Sequence, residues 1–135
     1  MKPITVLDSN IYISSVFWSS APYIIVKKAI NQEFSAYISS HIIYEIRKVL
    51  ARDFDLQKQE IDDIVDALQQ FTSFVEPKEK IVEIREDPDD DKILECAVAC
   101  KAKYIVSYNN HLLKLKVFRG IKILTPKQFL DLIRK

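Results

Sequence analysis

Ile4-Thr5-Val6-Leu7-Asp8-Ser9-Asn10 is the stretch that decides the fold. Its first four residues are apolar or β-branched and read as a buried strand, and an acid follows at once. A carboxylate at the C-terminal end of such a strand lies where open α/β sheets place their ligand crevices. Three later segments carry acids or amides at the start of a helix, within an apolar helical stripe or just past a strand. These are Glu45 within Ile42-Ile43-Tyr44-Glu45-Ile46, the run Asp87-Pro88-Asp89-Asp90-Asp91, and Asn109-Asn110 after Tyr104-Ile105-Val106-Ser107. Groups so far apart in sequence converge only through the fold. Converging carboxylates repel unless a divalent cation neutralises them, and hard oxygen ligands select Mg²⁺ or Mn²⁺.

Working outward from the first strand, residues 3–8, strands and helices alternate. A helical stretch runs from Asn10 to Phe17, and Pro22 suits the first turn of a helix reaching Ile30. Phe34 to Ser39 reads as the second strand, after which Ser39 or Ser40 caps a helix to Arg52. Leu56 to Phe71 is an acidic amphipathic helix with Ile61, Ile64, Val65 and Leu68 in its stripe. Thr72–Val75 and Ile81–Ile84 are short extended candidates. Asp89 to Ala102 is a helix, Tyr104 to Ser107 a buried strand, and Asn110 to Leu115 a short helix. Ile121 to Leu124 is the last strand, and Pro126 opens a helix to Ile133. Such alternation predicts a parallel sheet with helices on both faces.

A chain of 135 residues suits one domain, 1–135, with enough core for independent stability. No apolar run approaches a membrane span and no charged-then-apolar leader precedes the first strand, so a cytoplasmic location is expected. Gly120 is the only glycine, so neither a dinucleotide fingerprint nor a P-loop can be built, and short connections are expected. Cys96 and Cys100 lie four apart with Ala97 on one helix and read as small core residues. A zinc site would want more Cys or His at suitable spacing, and His41 and His111 offer no such pattern. The net charge of +1 hides an asymmetry. Residues 101–135 hold nine Lys or Arg against Asp131 alone, whereas residues 1–100 hold 11 basic groups against 18 acids. Either the halves balance across the surface, or a phosphate-attracting rim stands beside an acidic pocket.

Two acids stand out locally. Glu45 shares a helical stripe with Ile42, Ile46 and Val49, so it points inward, and a buried carboxylate needs a cation or a basic partner such as Arg47 or Arg52. Asp90 opens the stripe Ile93, Leu94, Ala97 and Val98 at a helix N-terminus, where the dipole favours negative charge. A capping role explains one aspartate there, but not Asp87, Asp89, Asp90 and Asp91 together.

These residues resemble the PIN-domain ribonucleases that serve as toxins of toxin–antitoxin pairs (VapC-like). The resemblance covers nearly the whole chain. It rests on Val6 to Asn10, Ser40 with Glu45, Asp87 to Glu95, Tyr104 to Ser107 with Leu112-Leu113, and Ile121 to Pro126 with Phe129-Leu130. It implies a three-layer α/β/α sandwich around a mainly parallel sheet, with acids clustered at its C-terminal edge. It also implies Mg²⁺- or Mn²⁺-dependent cleavage of RNA, a homodimer, and inhibition by a small antitoxin protein.

Asp8, Glu45 and Asp90 are then the catalytic acids, and with Asp91 and Asn109 they form the metal-holding set. Ser9, Asn10 and Ser40 support it by hydrogen bonding. Lys114, Lys116 and Arg119 represent the basic third that holds the RNA backbone. One departure matters. The family usually reads glycine, aspartate, any residue, aspartate, leucine, leucine after this strand, where this chain has Tyr108-Asn109-Asn110-His111-Leu112-Leu113. Asn109 thus replaces the fourth acid, which allows a weakened nuclease or an inactive module that binds RNA or a protein partner. Phosphotransfer domains of receiver or haloacid-dehalogenase type also place Asp after the first strand. Asn10 stands where the latter want a second aspartate, and no late Lys fits the former.

Overall fold

The computed structural model describes residues 2–84 and 86–134. Strand β1 (Ile4–Leu7) has Thr5, Val6 and Leu7 fully buried, as a strand covered on both faces requires. Helices α1 (Ser9–Phe17) and α2 (Ala21–Ile30) return the chain to β2 (Ser35–Ile38). Helices α3 (Ser40–Phe54) and α4 (Lys58–Phe71) then lead to β3 (Thr72–Phe74). After an irregular segment come α5 (Pro88–Ala99), β4 (Tyr104–Val106), α6 (Asn110–Leu113), β5 (Val117–Phe118), β6 (Ile121–Leu124) and α7 (Pro126–Ile133).

The strands pair in the order β3-β2-β1-β4-β6-β5. Every pairing is parallel except that of β5 with β6. Helices α1, α2, α3, α4 and α7 form one connected packing group, whereas α5 packs on β1 and β4. The result is the expected three-layer α/β/α sandwich with a mainly parallel sheet. Its core joins Val6, Leu7, Ile38, Ile105 and Val106 of the strands to Ile11, Ile42, Ile46, Leu94 and Phe129 of the helices. Phe129 meets Phe34 and Tyr104 edge-on at 5.0 and 5.8 Å, tying α7 to the sheet.

Local chemistry sets the element ends. Ser39, rather than Ser40, caps α3, its Oγ accepting from Ile42 N at 3.3 Å. Thr125 and Gln128 cap α7 reciprocally. With so little glycine, the left-handed turns fall to Gln32, Asp55, Lys101, Lys116 and Arg119, all at positive φ. Each such residue costs about 1–2 kcal/mol relative to glycine. The short β5 was not expected from the sequence. A two-residue antiparallel edge carries no periodic signal.

The segment Ile81–Ile84, expected as extended, joins no ladder. Ile81 and Ile84 are buried, but their backbone amides are taken by side chains of α5. Glu95 Oε2 accepts from Ile81 N at 3.0 Å, and Asp91 Oδ1 accepts from Glu83 N and Ile84 N at 3.1 and 2.8 Å. Those bonds replace the strand partner the segment lacks.

Candidate active site

Strand β1 has β2 on one side and β4 on the other, so the strand order reverses between β1 and β4. Open α/β sheets bind ligands at such a switch point. Asp8, the residue after β1, caps α1, its Oδ1 accepting from Ser9 N at 2.8 Å. Across the switch point its Oδ2 accepts from Ser107 Oγ at 2.6 Å. Asp8 N also donates to Val106 O at 3.0 Å. Backbone and side chain together fix this carboxylate at the mouth of the crevice.

The crevice is a pocket of about 160 Å³ lined by Asp8, Ser9, Asn10, His41, Ile42, Glu45, Asp87, Asp89, Asp90, Ile93 and Asn109. Glu45 arrives from α3 with His41 one turn earlier, and His41 Nε2 lies 3.8 Å from Glu45 Oε1. Lys48 Nζ is 3.4 Å from the same oxygen. The aspartate run on α5 divides its labour. Asp87 caps the helix, accepting from Asp89 N at 3.1 Å, while Asp89 and Asp90 line the pocket.

Asn109, the N-cap of α6, has a fixed orientation. Its Oδ1 accepts from His111 N at 2.8 Å, which leaves Nδ2 to donate to Asp90 Oδ1 at 2.8 Å. Asp90 Oδ2 is buried without a hydrogen-bond partner. The nearest cationic candidate is His111 Nδ1 at 3.5 Å.

Crowding and burial show in the acids' proton affinity. Burial pushes the Asp90 carboxyl up to about 6, helped by the negative charges of Asp87 and Asp8 and opposed by His111. Asp8 is likewise raised, by burial first and then by Glu45, against the hydrogen bonds from Ser107 and Ser9. Asp8 and Asp90 are therefore costly to ionise in a pocket that five carboxylates line.

Asp8, Glu45, Asp90, Asn109, Ser9 and Asn10 of the expected residues therefore meet in one place. Asn10 also reaches across to β4, its Oδ1 accepting from Tyr108 N at 3.4 Å. Asp91 does not meet them. It is buried, lies outside the pocket lining, and has Oδ1 accepting from Glu83 N and Ile84 N. One residue beyond Asp90 is a turn of about 100°, which carries the side chain to another helix face. Ser40 is also outside the pocket lining; it is exposed, and its backbone amide donates to Glu76 Oε1 at 3.2 Å. Asn109 is in the pocket but presents a donor rather than the expected oxygen. Arg119 is engaged by Glu79 at 2.9 Å, whereas Lys114 and Lys116 are exposed and, among the described residues, make no ion pair.

Ser107, His41 and His111 were not foreseen as site residues. Ser107 had a signal, a small polar residue closing a buried strand as Asp8 closes β1. His41 had another, its i, i+4 spacing to Glu45 on a helix.

The family of proteins to which such a switch-point acid pocket belongs is set by comparison with known proteins. The PIN domain model matches residues 5–111, and the chain belongs to the PIN domain family. Comparison with curated protein sequences gives no significant match. Among solved structures, the fold is similar to that of VapBC2 from Rickettsia felis bound to a DNA fragment from its promoter. That match has a TM-score of 0.64 and 16% identity, covering 90% of this chain and 98% of the other. PAE2754 from Pyrobaculum aerophilum gives 0.62 and 13% identity, covering 98% of this chain and 90% of the other. The PIN domain of RRP44 from T. brucei gives 0.54 and 15%, covering 97% and 80%. Among the described residues no helix is long and apolar enough to cross a membrane.

The pocket fits a divalent cation by its donor chemistry. Asp90 Oδ2 is a buried anionic oxygen lacking a partner, and two sets of ligand atoms each lie within 4.8 Å of one another. These sets are His41, Glu45 and Asp89, and Asp87, Asp90 and His111.

Proposed function

We propose that the chain is a divalent-metal-dependent endoribonuclease, a single domain over residues 1–135, acting as the toxin of a toxin–antitoxin pair. The observation that carries this is Asp90 Oδ2, buried and unpartnered in a pocket that also holds Asp8 and Glu45. An orphaned anion is expensive unless a ligand completes it. Membership of the PIN family, whose members are generally metal-dependent nucleases, supports the same reading.

Asp8, Glu45 and Asp90 would hold the Mg²⁺ or Mn²⁺. A cation there supplies positive charge for the scissile phosphate and lowers the pKa of a nearby water. The chain's own groups do the rest. Ser107 and Ser9 keep Asp8 in one rotamer, and Asn109 fixes Asp90 through its amide. Asn10, whose Nδ2 donates to Asp8 Oδ2 at 3.4 Å, would offer its other amide hydrogen to a phosphate oxygen. Lys114 and Lys116, beyond α6, would hold the RNA backbone.

An antitoxin partner and a homodimer belong to this reading, as does a cytoplasmic location. The fold's similarity to a chain of the VapBC2 complex supports a small protein inhibitor. So does an exposed apolar strip in which Phe17 stacks on Phe54 at 4.1 Å beside Trp18, itself 55% exposed.

A second reading has its own support. Asn109 and His111 flank Asp90 where the resemblance expects two aspartates, so the pocket could bind RNA or a partner without cutting. One experiment separates them: incubation of RNA with the protein and Mg²⁺ or Mn²⁺, with EDTA and Asp8→Asn as controls. Cleavage that needs both metal and Asp8 supports the nuclease. RNA binding without cleavage, insensitive to EDTA, supports the binding module.

A further inference from the structure

Two imidazoles stand against the pocket's acids, His41 in the lining beside Glu45 and His111 outside the lining beside Asp90, one on each side of β1. His41 comes from α3, which follows β2, and His111 from α6, which follows β4. His41 Nε2 is 3.8 Å from Glu45 Oε1, and His111 Nδ1 is 3.5 Å from Asp90 Oδ2. Charge-assisted hydrogen bonds are shorter, about 2.7–2.9 Å. Separations of this size instead suit two ligands of one ion whose bonds are each about 2.0–2.2 Å. Asp90 Oδ2, buried with no hydrogen-bond partner from the protein, is independently free to accept a cation beside His111.

We propose that this site selects a borderline first-row transition ion of the Co²⁺ or Zn²⁺ type over Mg²⁺, with His41 as a nitrogen ligand beside Glu45 and Asp89 and His111 as one beside Asp87 and Asp90. The proposal rests on the pocket being a divalent-cation site at all, and deepens that reading by naming the ion class. Mg²⁺ favours oxygen ligands in octahedral geometry and keeps its water. Imidazole nitrogen suits the later transition ions. Asn109 strengthens the bias, because it turns an amide N–H toward Asp90 and offers the pocket no anionic oxygen. The competing role for the two imidazoles is as imidazolium counter-ions that neutralise the acids in place of a metal. The two roles give opposite signs on removal: losing a ligand weakens binding, whereas losing a counter-ion strengthens it.

The test is calorimetric titration of the whole protein with MgCl₂, MnCl₂ and CoCl₂, for the parent, His41→Gln and His111→Gln. The visible spectrum of the Co²⁺ form is recorded in parallel. Co²⁺ should bind about a hundredfold more tightly than Mg²⁺, and each variant should lose about tenfold for Co²⁺ but less than about threefold for Mg²⁺. The parent spectrum should intensify over that of aqueous Co²⁺ and weaken in each variant. Both histidines are partly exposed, so the fold should tolerate glutamine, as near-ultraviolet circular dichroism would show. Equal losses for both ions, a gain in affinity, or a parent spectrum matching hexaaqua Co²⁺ would overturn the proposal. The parent spectrum decides even if a variant fails to fold. Histidine-dependent Co²⁺ binding with no RNA cleavage under any metal would instead remove the nuclease assignment and leave the ion site standing.

Discussion

Asn109 donates its amide Nδ2 to Asp90 Oδ1 at 2.8 Å, so a residue that the sequence resemblance sets in the place of an acid serves as the hydrogen-bond donor to a neighbouring acid. The cap it gives to His111 N locks that orientation. Asp90 is thereby half satisfied by the protein, and only its second oxygen is left for a ligand.

Asn109→Asp should therefore act strongly on the metal-free protein. It removes the donor and sets two carboxylates in contact, costing about 1–3 kcal/mol at neutral pH. Divalent affinity should rise, most visibly for Mg²⁺, because one hard anionic oxygen is added at nearly constant volume. Thermal melts with EDTA and with excess Mg²⁺ check both halves. Unchanged melting and unchanged affinity would sink the assignment of Asn109 to the pocket.

The Asp90 carboxyl predicts a pH dependence of the apo protein. Its folded value of about 6 lies above the ordinary 3.8, so the folded state binds the extra proton between those values. Stability contributed at this site is then lost as pH rises through the window from about 4 to about 6, the sign opposite to that of a salt-bridged acid. Asp90→Asn should remove that slope and stabilise the apo protein at pH 7. Chemical denaturation at a series of pH values in EDTA measures it, and an unaltered slope in the variant would assign the effect elsewhere.

How much of this was legible in the sequence differs by residue. The alternation of strands and helices announced the sheet, since buried strands such as Tyr104-Ile105-Val106 are continuous apolar runs with acids or amides just beyond them. Asp8, Glu45 and Asp90 followed from their place at strand or helix ends or in an apolar stripe. Asp91 was not separable from Asp90 by spacing. What distinguishes them is the loop Ile81–Ile84, whose amides Asp91 accepts, and that contact is tertiary. Ser107, His41 and His111 gain their roles only when β1, β4 and α3 are brought together. The side-chain orientation of Asn109 depends on a single backbone amide two residues on.

Asp8→Asn should abolish divalent-dependent RNA cleavage, by at least about a hundredfold, while leaving the fold intact. The amide oxygen can still accept from Ser9 N, and Ser107 Oγ can accept where it now donates. Because burial raises the Asp8 carboxyl, ionising it costs stability above its folded value. The neutral amide should thus melt higher than the parent in EDTA at pH 7. A variant that loses activity and also unfolds would make Asp8 a structural residue.

Neutralising Lys114 and Lys116 together should weaken RNA binding at low salt and flatten its salt dependence by about 0.7 per charge removed. Arg119→Gln should do less, because Glu79 already holds its guanidinium at 2.9 Å. Filter-binding isotherms from 50 to 200 mM salt read the slope. Equal effects of all three substitutions would argue that the Glu79 pair opens on RNA binding.

Asp91→Ala and Asp90→Ala should dissociate stability from metal binding. Asp91 Oδ1 satisfies Glu83 N and Ile84 N, and Ile84 is buried, so removing the carboxylate strands two backbone donors. The cost should be about 1–3 kcal/mol for each donor that stays dry, with the segment from Ile81 to Ile84 losing hydrogen-exchange protection first. Divalent affinity should stay within about twofold of the parent, since Asp91 contributes no oxygen to the pocket. Asp90→Ala should do the reverse, relieving repulsion from Asp87 and Asp8 while costing metal affinity. Denaturation and metal titration on both variants give four numbers, and the pattern to expect is crossed. A fall in metal affinity for Asp91→Ala as large as that for Asp90→Ala would return Asp91 to the metal-holding set and mean that the contacts of the Ile81–Ile84 segment rearrange when a cation binds.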